Sequence, residues 1–181
     1  MSTAVAQPGL RVAFAGAFPM AVWATRRDIK RSDTHGLAFL GGPDALDEVL
    51  SRADYLAITL SLTEVTRGLL GERELRLMKP TAVLVNVARA EIVDEAALYW
   101  ALAQRTIAGA ALDVWYQYPK GPGPTFPARH AFQELPNVLM TPHVSGWTEG
   151  MLEARAKLIA ENIHRAAQGK PPVNLIPASA E

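Results

Sequence analysis

Residues 82–88 read Ala-Val-Leu-Val-Asn-Val-Ala, a valine-rich stretch without charged side chains that leads directly into Arg89. Such a stretch is typical of a strand that is buried on both faces of a parallel sheet. Two later stretches also stop at a polar residue: residues 107–112 stop at Asp113, and residues 137–141 lead through Pro142 to His143. The carboxyl ends of parallel strands share one edge of an open sheet, and ligands bind at that edge. The sequence therefore predicts that an arginine, a carboxylate and an imidazole meet at one reaction site.

Helical stretches alternate with strands along most of the chain. Asp94 is predicted to cap a helix of about residues 94–105, in which Leu98 and Leu102 are four residues apart. A longer helix is predicted over residues 149–168, and Gly169 ends it. From residue 44 onward, helices and strands follow one another in turn. This alternation predicts an α/β protein with a doubly wound, mostly parallel sheet.

The composition narrows the class of protein. The chain has 181 residues, enough for one domain with a substantial core. Its 18 lysines and arginines balance its 18 aspartates and glutamates, so no field of one sign favours nucleic acid or an anionic membrane as a partner. Cysteine is absent, which excludes disulfides and thiolate chemistry. The sequence contains no stretch of about 18 apolar residues that could span a bilayer, and a cytoplasmic protein is expected.

The N-terminal region is harder to fit to a parallel sheet. Residues 1–9 are predicted to be a disordered leader, and the domain is predicted to cover residues 10–176. Residues 10–15 are then the first strand, which ends at Gly16, and residues 21–25 are the second. Parallel neighbours need a crossover of about a dozen residues. The sheet is therefore expected to be incomplete at its first βαβ unit, either because the two stretches form a hairpin or bent strand, or because the first helix has been lost.

Five ordered blocks of sequence resemble one family. The stretch from about Asp54 to Ile176 is similar to the nucleotide-binding domain of the D-isomer-specific 2-hydroxyacid dehydrogenases, which has a Rossmann-type fold. The blocks that carry this resemblance are Leu62-Thr-Glu-Val-Thr-Arg-Gly-Leu-Leu70, Leu77-Met-Lys-Pro80, Asn86-Val-Ala-Arg-Ala-Glu-Ile-Val-Asp-Glu95, Gly109-Ala-Ala-Leu-Asp-Val-Trp115 and Leu135-Pro-Asn-Val-Leu-Met-Thr-Pro-His143. In that family a hydride passes between a nicotinamide cofactor and the carbon that bears a hydroxyl or oxo group.

The resemblance implies roles for individual residues. Arg89 matches the arginine that holds the substrate carboxylate and carbonyl, for which a planar cation with fixed donors is suited. His143 matches the general acid/base, and Tyr118 completes the predicted catalytic set. Asp113 matches a residue near the nicotinamide carboxamide. The full set of predicted cofactor-binding residues is Gly16, Arg26, Arg27, Val87, Ala88, Asp113, Ser145 and Gly146, and no metal ligand is assigned.

The chain also departs from the family pattern. It has no G-x-G-x-x-G turn for the cofactor pyrophosphate, and a separate substrate domain is expected to be absent. Tyr118 occupies the position before Pro119 where the family has a glutamate that pairs with the catalytic histidine. Formate dehydrogenases of the same superfamily also lack that glutamate and share a tryptophan at Trp115 and a serine-glycine after the histidine. Formate oxidation needs no proton transfer at the reacting oxygen, so the resemblance leaves the substrate open.

The end of the second predicted strand bears on cofactor choice. Members that prefer NAD have an aspartate there, which binds the adenosine ribose, whereas this chain has Thr25-Arg26-Arg27. An arginine at that position suits a 2′-phosphate. The sequence predicts NADP(H) over NAD(H), with the alternative that Arg26 and Arg27 simply begin a solvated charged stretch.

These features favour an NAD(P)-dependent oxidoreductase that transfers a hydride between nicotinamide and a small 2-oxo or 2-hydroxy acid such as glyoxylate or hydroxypyruvate. Two alternatives stay open: an inactive, truncated cofactor domain, and a half-enzyme that needs a separately encoded substrate domain. The resemblance further implies a homodimer formed through the cofactor domain.

Overall fold

A computed structural model of the chain describes residues 2–6, 20–27 and 36–175. Within these residues, seven strands form one sheet in the order β3-β2-β1-β4-β5-β6-β7, and all neighbouring strands are parallel. The strands are β1 (Ser2–Ala6), β2 (Ala21–Thr25), β3 (Phe39–Gly41), β4 (Tyr55–Ile58), β5 (Val83–Asn86), β6 (Gly109–Leu112) and β7 (Val138–Met140). The helices are α1 (Leu46–Arg52), α2 (Glu72–Leu77), α3 (Glu95–Ala103) and α4 (Met151–Ala167).

The strand order reverses at the centre of the sheet. The chain moves outward from β1 through β2 to β3, and then returns to the other side of β1 with β4. This is the doubly wound order in which a crevice opens at the carboxyl ends of the two central strands. The predicted Rossmann-type α/β class is therefore confirmed.

The prediction of a disordered leader is wrong for Ser2–Ala6. These residues form β1, which pairs with β2 on one side and with β4 on the other. The connection to β2 therefore includes residues 7–20, long enough for the crossover that parallel neighbours require, about a dozen residues. The expected shortage of residues in the first βαβ unit disappears with this correction. The strand predicted over residues 10–15, with Gly16, lies outside the described residues.

One hydrophobic core joins helices α1, α2 and α3 to the sheet. Leu50 of α1, Leu75 of α2 and Leu102 of α3 are almost completely buried, and so is Leu84 in the middle of β5. Asp94 caps α3 as predicted, since its Oδ1 accepts a hydrogen bond from the Ala97 backbone N–H at 2.8 Å. The core therefore fixes β5 and β6, whose carboxyl ends carry Arg89 and Asp113.

Gly109 allows β6 and β7 to lie side by side at their first residues. A Cβ atom at this position would lie 2.7 Å from the backbone oxygen of Asn137, closer than any side chain tolerates. Ala110 N–H donates to the same oxygen at 3.0 Å. The absence of a side chain at residue 109 thus permits the close approach of the two strands, which brings the end of β7 beside Asp113.

Residues 145–175 belong to a second compact unit, which contains α4. The helix ends at Ala167, and Gly169 just beyond it adopts a left-handed conformation with φ of 69°. Asn162 then holds the following segment, because its side chain accepts from Val173 N–H at 2.7 Å. Within the described ranges, no helix has both the length and the apolar character needed to cross a membrane.

Candidate active site

The turn after β5 is built by the side chain of Asn86, the last residue of the strand. Only 1% of this residue is exposed; its Oδ1 accepts from Ala88 N–H at 3.1 Å and its Nδ2 donates to Arg89 O at 3.0 Å. Both hydrogen bonds fix the backbone that carries Arg89, whose side chain is exposed and donates to Ala88 O. Sequence reasoning missed the role of Asn86, although an amide side chain inside a valine-rich buried strand indicates a specific hydrogen-bonding role.

Three of the predicted site residues lie together beside a cleft. Val87, Ala88 and Arg89 line one side of a cavity of about 500 Å³, and residues 59–62, which follow β4, line the other. The segment after β4 is itself held in place, because Thr66 Oγ1 donates to Ser61 O at 2.7 Å. The cleft therefore opens at the carboxyl ends of β4 and β5, next to the point where the strand order reverses.

Asp113 connects the ends of three strands. It is 3% exposed, and its Oδ1 accepts from Thr141 Oγ1 at 2.6 Å and from Val144 N–H at 2.8 Å. Its backbone N–H donates to Asn86 O at 3.0 Å. Asp113 thus ties the loop after β7, which carries His143, to the end of β5. The structure brings the three predicted strand ends together at one edge of the sheet.

His143 stands in a strained backbone conformation next to Tyr118. Its φ of 59° is in the left-handed region, which few residues other than glycine adopt. Its Nδ1 lies 2.9 Å from Tyr118 Oη, and that oxygen accepts from the Trp115 backbone N–H at 3.0 Å. The Asp113–Val144 hydrogen bond directly after His143 helps to hold this conformation. Tyr118 therefore lies where the resemblance placed a glutamate beside the histidine.

The loop after β6 carries two aromatic side chains that support this arrangement. Trp115 is buried, and its Nε1 donates to Thr141 O at 2.9 Å. Tyr116 Oη donates to Val93 O at 2.9 Å. Burial raises the pKa of Tyr116 well above its ordinary value, and nearby carboxylates, first that of Glu95, raise it further. The Tyr116 hydroxyl therefore stays a hydrogen-bond donor over the whole physiological pH range.

The other predicted cofactor residues are distributed over several parts of the chain. Arg26 and Arg27 directly follow β2 at the carboxyl edge, and the Arg26 backbone N–H donates to Gly41 O of β3 at 3.1 Å. Ser145 and Gly146 are exposed residues at the start of the second unit. Gly16 lies outside the described residues.

Comparison with known proteins identifies the family of this fold and site. Residues 9–145 match the family model described as the D-isomer specific 2-hydroxyacid dehydrogenase, NAD binding domain. Glyoxylate reductases from Aeropyrum pernix and Thermococcus gammatolerans are 43% and 40% identical over 132 and 131 residues, which is 73% and 72% of this chain. The chain spans 38% and 37% of the length of these two relatives.

Solved structures agree with this comparison. A D-isomer specific 2-hydroxyacid dehydrogenase from Xanthobacter autotrophicus Py2, in complex with NADPH and MES, has a TM-score of 0.78 and 31% identity, over 98% of this chain and 71% of that one. The acyclic imino acid reductase Bsp5, in complex with NADPH and D-Arg, has a TM-score of 0.78 and 28% identity, over 97% of this chain and 53% of that one. The chain therefore belongs to the D-isomer specific 2-hydroxyacid dehydrogenase family and contains its NAD-binding domain.

Proposed function

We propose that this chain is the cofactor-binding and catalytic part of an NADPH-dependent reductase of small 2-oxo acids, such as glyoxylate or hydroxypyruvate. The proposal rests on the positions of Arg89 after β5 and His143 after β7, at the same edge of the parallel sheet. Buried Asp113 forms hydrogen bonds with residues at the ends of both strands. A cation and an imidazole at a common edge can bind an anionic carbonyl compound and donate a proton to it.

Arg89 is the proposed anchor for the substrate carboxylate. Its backbone is fixed by Asn86, while its guanidinium group is exposed at the mouth of the cleft. A guanidinium group offers several donors in a fixed plane, which matches the two oxygens of a carboxylate. Bound in this way, a 2-oxo acid has its carbonyl group held in a defined position, which favours attack at the carbonyl carbon.

His143 is the proposed proton donor. In the reductive direction the carbonyl carbon gains a hydride, the carbonyl π electrons move to oxygen, and that oxygen takes a proton from the imidazolium of His143. The products are a 2-hydroxy acid and a neutral imidazole. The nicotinamide cofactor, when bound, supplies the hydride.

The described residues fit such a cofactor. The cleft of about 500 Å³ lies beside the β1/β4 crevice, and its volume is in the range of about 300–1,000 Å³ that is usual for ligand sites. We propose that Val87, Ala88 and Asp113 hold the nicotinamide end and that Arg26 and Arg27 hold the adenosine end. Gly16, Ser145 and Gly146 are further predicted contacts of the cofactor. The predicted homodimer is tested by measuring the molar mass in solution.

The proposed function is tested by following NADPH absorbance with the purified chain and a panel of glyoxylate, hydroxypyruvate and pyruvate. NADP⁺ with formate serves as a second assay. Oxidation of NADPH that depends on a 2-oxo acid is expected. NADPH binding without turnover of any of these compounds would contradict it and favour one of the two alternatives, an inactive cofactor domain or a half-enzyme that needs a separately encoded substrate domain. Turnover of formate alone would instead identify formate as the substrate, which the resemblance leaves open.

Arg26 is expected to determine the preference for NADPH. An Arg26→Gln variant should bind NADPH about 10- to 100-fold more weakly, since a hydrogen bond to a charged group contributes about 1.5–3 kcal/mol. NADH affinity should stay the same. Fluorescence titration of both reduced cofactors measures the effect, and Arg76→Gln on the exposed side of α2 is the matched control. Tighter binding of NADH than of NADPH to the unmodified chain would overturn the prediction.

Arg89 is expected to act on substrate and not on cofactor. An Arg89→Met variant should lose about 10- to 100-fold in kcat/KM for glyoxylate, because a charged hydrogen-bond donor is removed, and Arg89→Lys should recover only part of this loss. NADPH affinity should be unchanged in both variants. Steady-state kinetics give kcat/KM for glyoxylate and cofactor titration gives the NADPH affinity, with Arg76→Met as the control. Equal losses for Arg89→Met and Arg76→Met would refute the role.

A further inference from the structure

The Tyr118 hydroxyl has a hydrogen-bond partner on each side. The Trp115 backbone N–H lies 3.0 Å from Tyr118 Oη, and His143 Nδ1 lies 2.9 Å from the same oxygen. A backbone N–H can only donate, so it occupies one acceptor position of the phenolic oxygen. The single hydroxyl proton is then available for His143 Nδ1.

Buried groups hold both ends of this chain of hydrogen bonds. On one end, Trp115 is buried and bonded through its indole to Thr141 O. On the other, the loop of His143 is tied to buried Asp113 through Val144 N–H. Tyr118 is 45% exposed, yet its ring lies 5.6 Å from the His143 ring, between centroids, and its hydroxyl joins the two anchored segments. The contact therefore has a built framework on both sides.

A tyrosine differs from a carboxylate at this position in one chemical respect. An ionised carboxylate can only accept, so it selects the imidazole that carries a proton on Nδ1. A hydroxyl that already accepts from Trp115 N–H can still donate to an unprotonated Nδ1. We propose that Tyr118 is a positioning residue that holds neutral His143 in the tautomer with its proton on Nε2.

This tautomer has a consequence for the direction of proton transfer, which rests on the proposed function. With Nδ1 bonded to Tyr118, Nε2 is the ring nitrogen left for a substrate. A protonated Nε2 donates a hydrogen bond to a carbonyl oxygen, but it cannot accept one from a hydroxyl group. Neutral His143 in this tautomer can donate to the oxygen of either acid, but it cannot take the hydroxyl proton of a 2-hydroxy acid, so it cannot act as the base for oxidation.

The tautomer is measured directly by NMR on the ¹⁵N-labelled chain, through long-range proton–nitrogen correlations of the imidazole rings. The signals of His143 are identified by their absence in His143→Asn. At a pH where His143 is neutral, we expect a protonated Nε2 and an unprotonated Nδ1 whose shift is that of a hydrogen-bond acceptor. In Tyr118→Phe, the ¹⁵N chemical shift of Nδ1 should move toward the value of an unprotonated nitrogen without a hydrogen bond. In Tyr118→Glu, the proton should move from Nε2 to Nδ1.

Tyr116→Phe is the matched control, because it removes a hydroxyl from the same loop that bonds to Val93 O instead. It should leave the His143 signals unchanged. A proton on Nδ1 in the unmodified chain, or the same Nδ1 shift with Tyr118 and with phenylalanine, would overturn the inference. Phenylalanine keeps the ring, so a purely packing role for Tyr118 would produce that second result. The measurement needs neither cofactor nor substrate, so a chain without turnover would refute the proposed function and leave this inference standing.

Discussion

A His143→Asn variant is expected to lose a factor of about 10²–10⁴ in kcat for 2-oxo acid reduction, the usual contribution of a general acid. The amide of asparagine cannot deliver a proton to the carbonyl oxygen at neutral pH. Asparagine is the suitable replacement because residue 143 has a φ of 59°, and asparagine tolerates this left-handed conformation better than alanine. The loss should therefore report the missing imidazole and not a rearranged loop.

NADPH affinity and thermal stability should be almost unchanged in this variant, which steady-state kinetics, cofactor titration and thermal unfolding measure together. His164→Asn is the matched control, since the side chain of His164 on α4 lies far along the chain from the site and its described hydrogen bond is to Gln168, just after the helix. A kcat within about twofold of that of the unmodified chain would contradict the assignment of His143 as the proton donor, whatever the cofactor titration shows.

Leu84→Ala is expected to lower the free energy of unfolding by about 2–5 kcal/mol. Leu84 lies in the middle of β5 with 0% of its surface exposed, and it contacts the core between the sheet and helices α1–α3. Truncation removes buried methyl groups and leaves a cavity that the close-packed neighbours cannot fill. For a chain of this size the melting temperature should fall by roughly 5–20 °C.

Leu139→Ala provides the comparison for this prediction. The same substitution is made in β7, but Leu139 is 65% exposed, so the free energy of unfolding should change by no more than about 0.5 kcal/mol. Chemical denaturation of both variants gives the two values. If the two substitutions were equally destabilising, the core described around β5 would be wrong.

Much of the fold could be predicted from local sequence. The valine-rich stretch 82–88 contains β5, the stretch 107–112 contains β6, and Asp94 caps α3 as expected. These elements are specified by continuous apolar character or by a capping side chain, both of which act within a few residues. Their predicted ends differ from the observed ends by at most two residues, because the hydrogen bonds of terminal residues depend on more than the local sequence.

The first strand could not be predicted in the same way. Ser2–Ala6 is short, and three of its five residues are serine or alanine, so only Thr3 and Val5 have the β-branched side chains that are enriched in strands. It becomes β1 because β2 and β4 pair with it on both sides. Its neighbours in space, and not its own propensity, decide its conformation.

The sequence by itself determined which residues end the strands, because parallel strands carry Arg89, Asp113 and His143 to one edge wherever the fold forms. Only the tertiary structure decided how these residues are held. The hydrogen bonds from Val144 and Thr141 to Asp113, and the one between Tyr118 and His143, join residues that are 25 to 31 positions apart. Such bonds depend on the register of β6 against β7 and on the path of the loop between them, which local patterns do not encode.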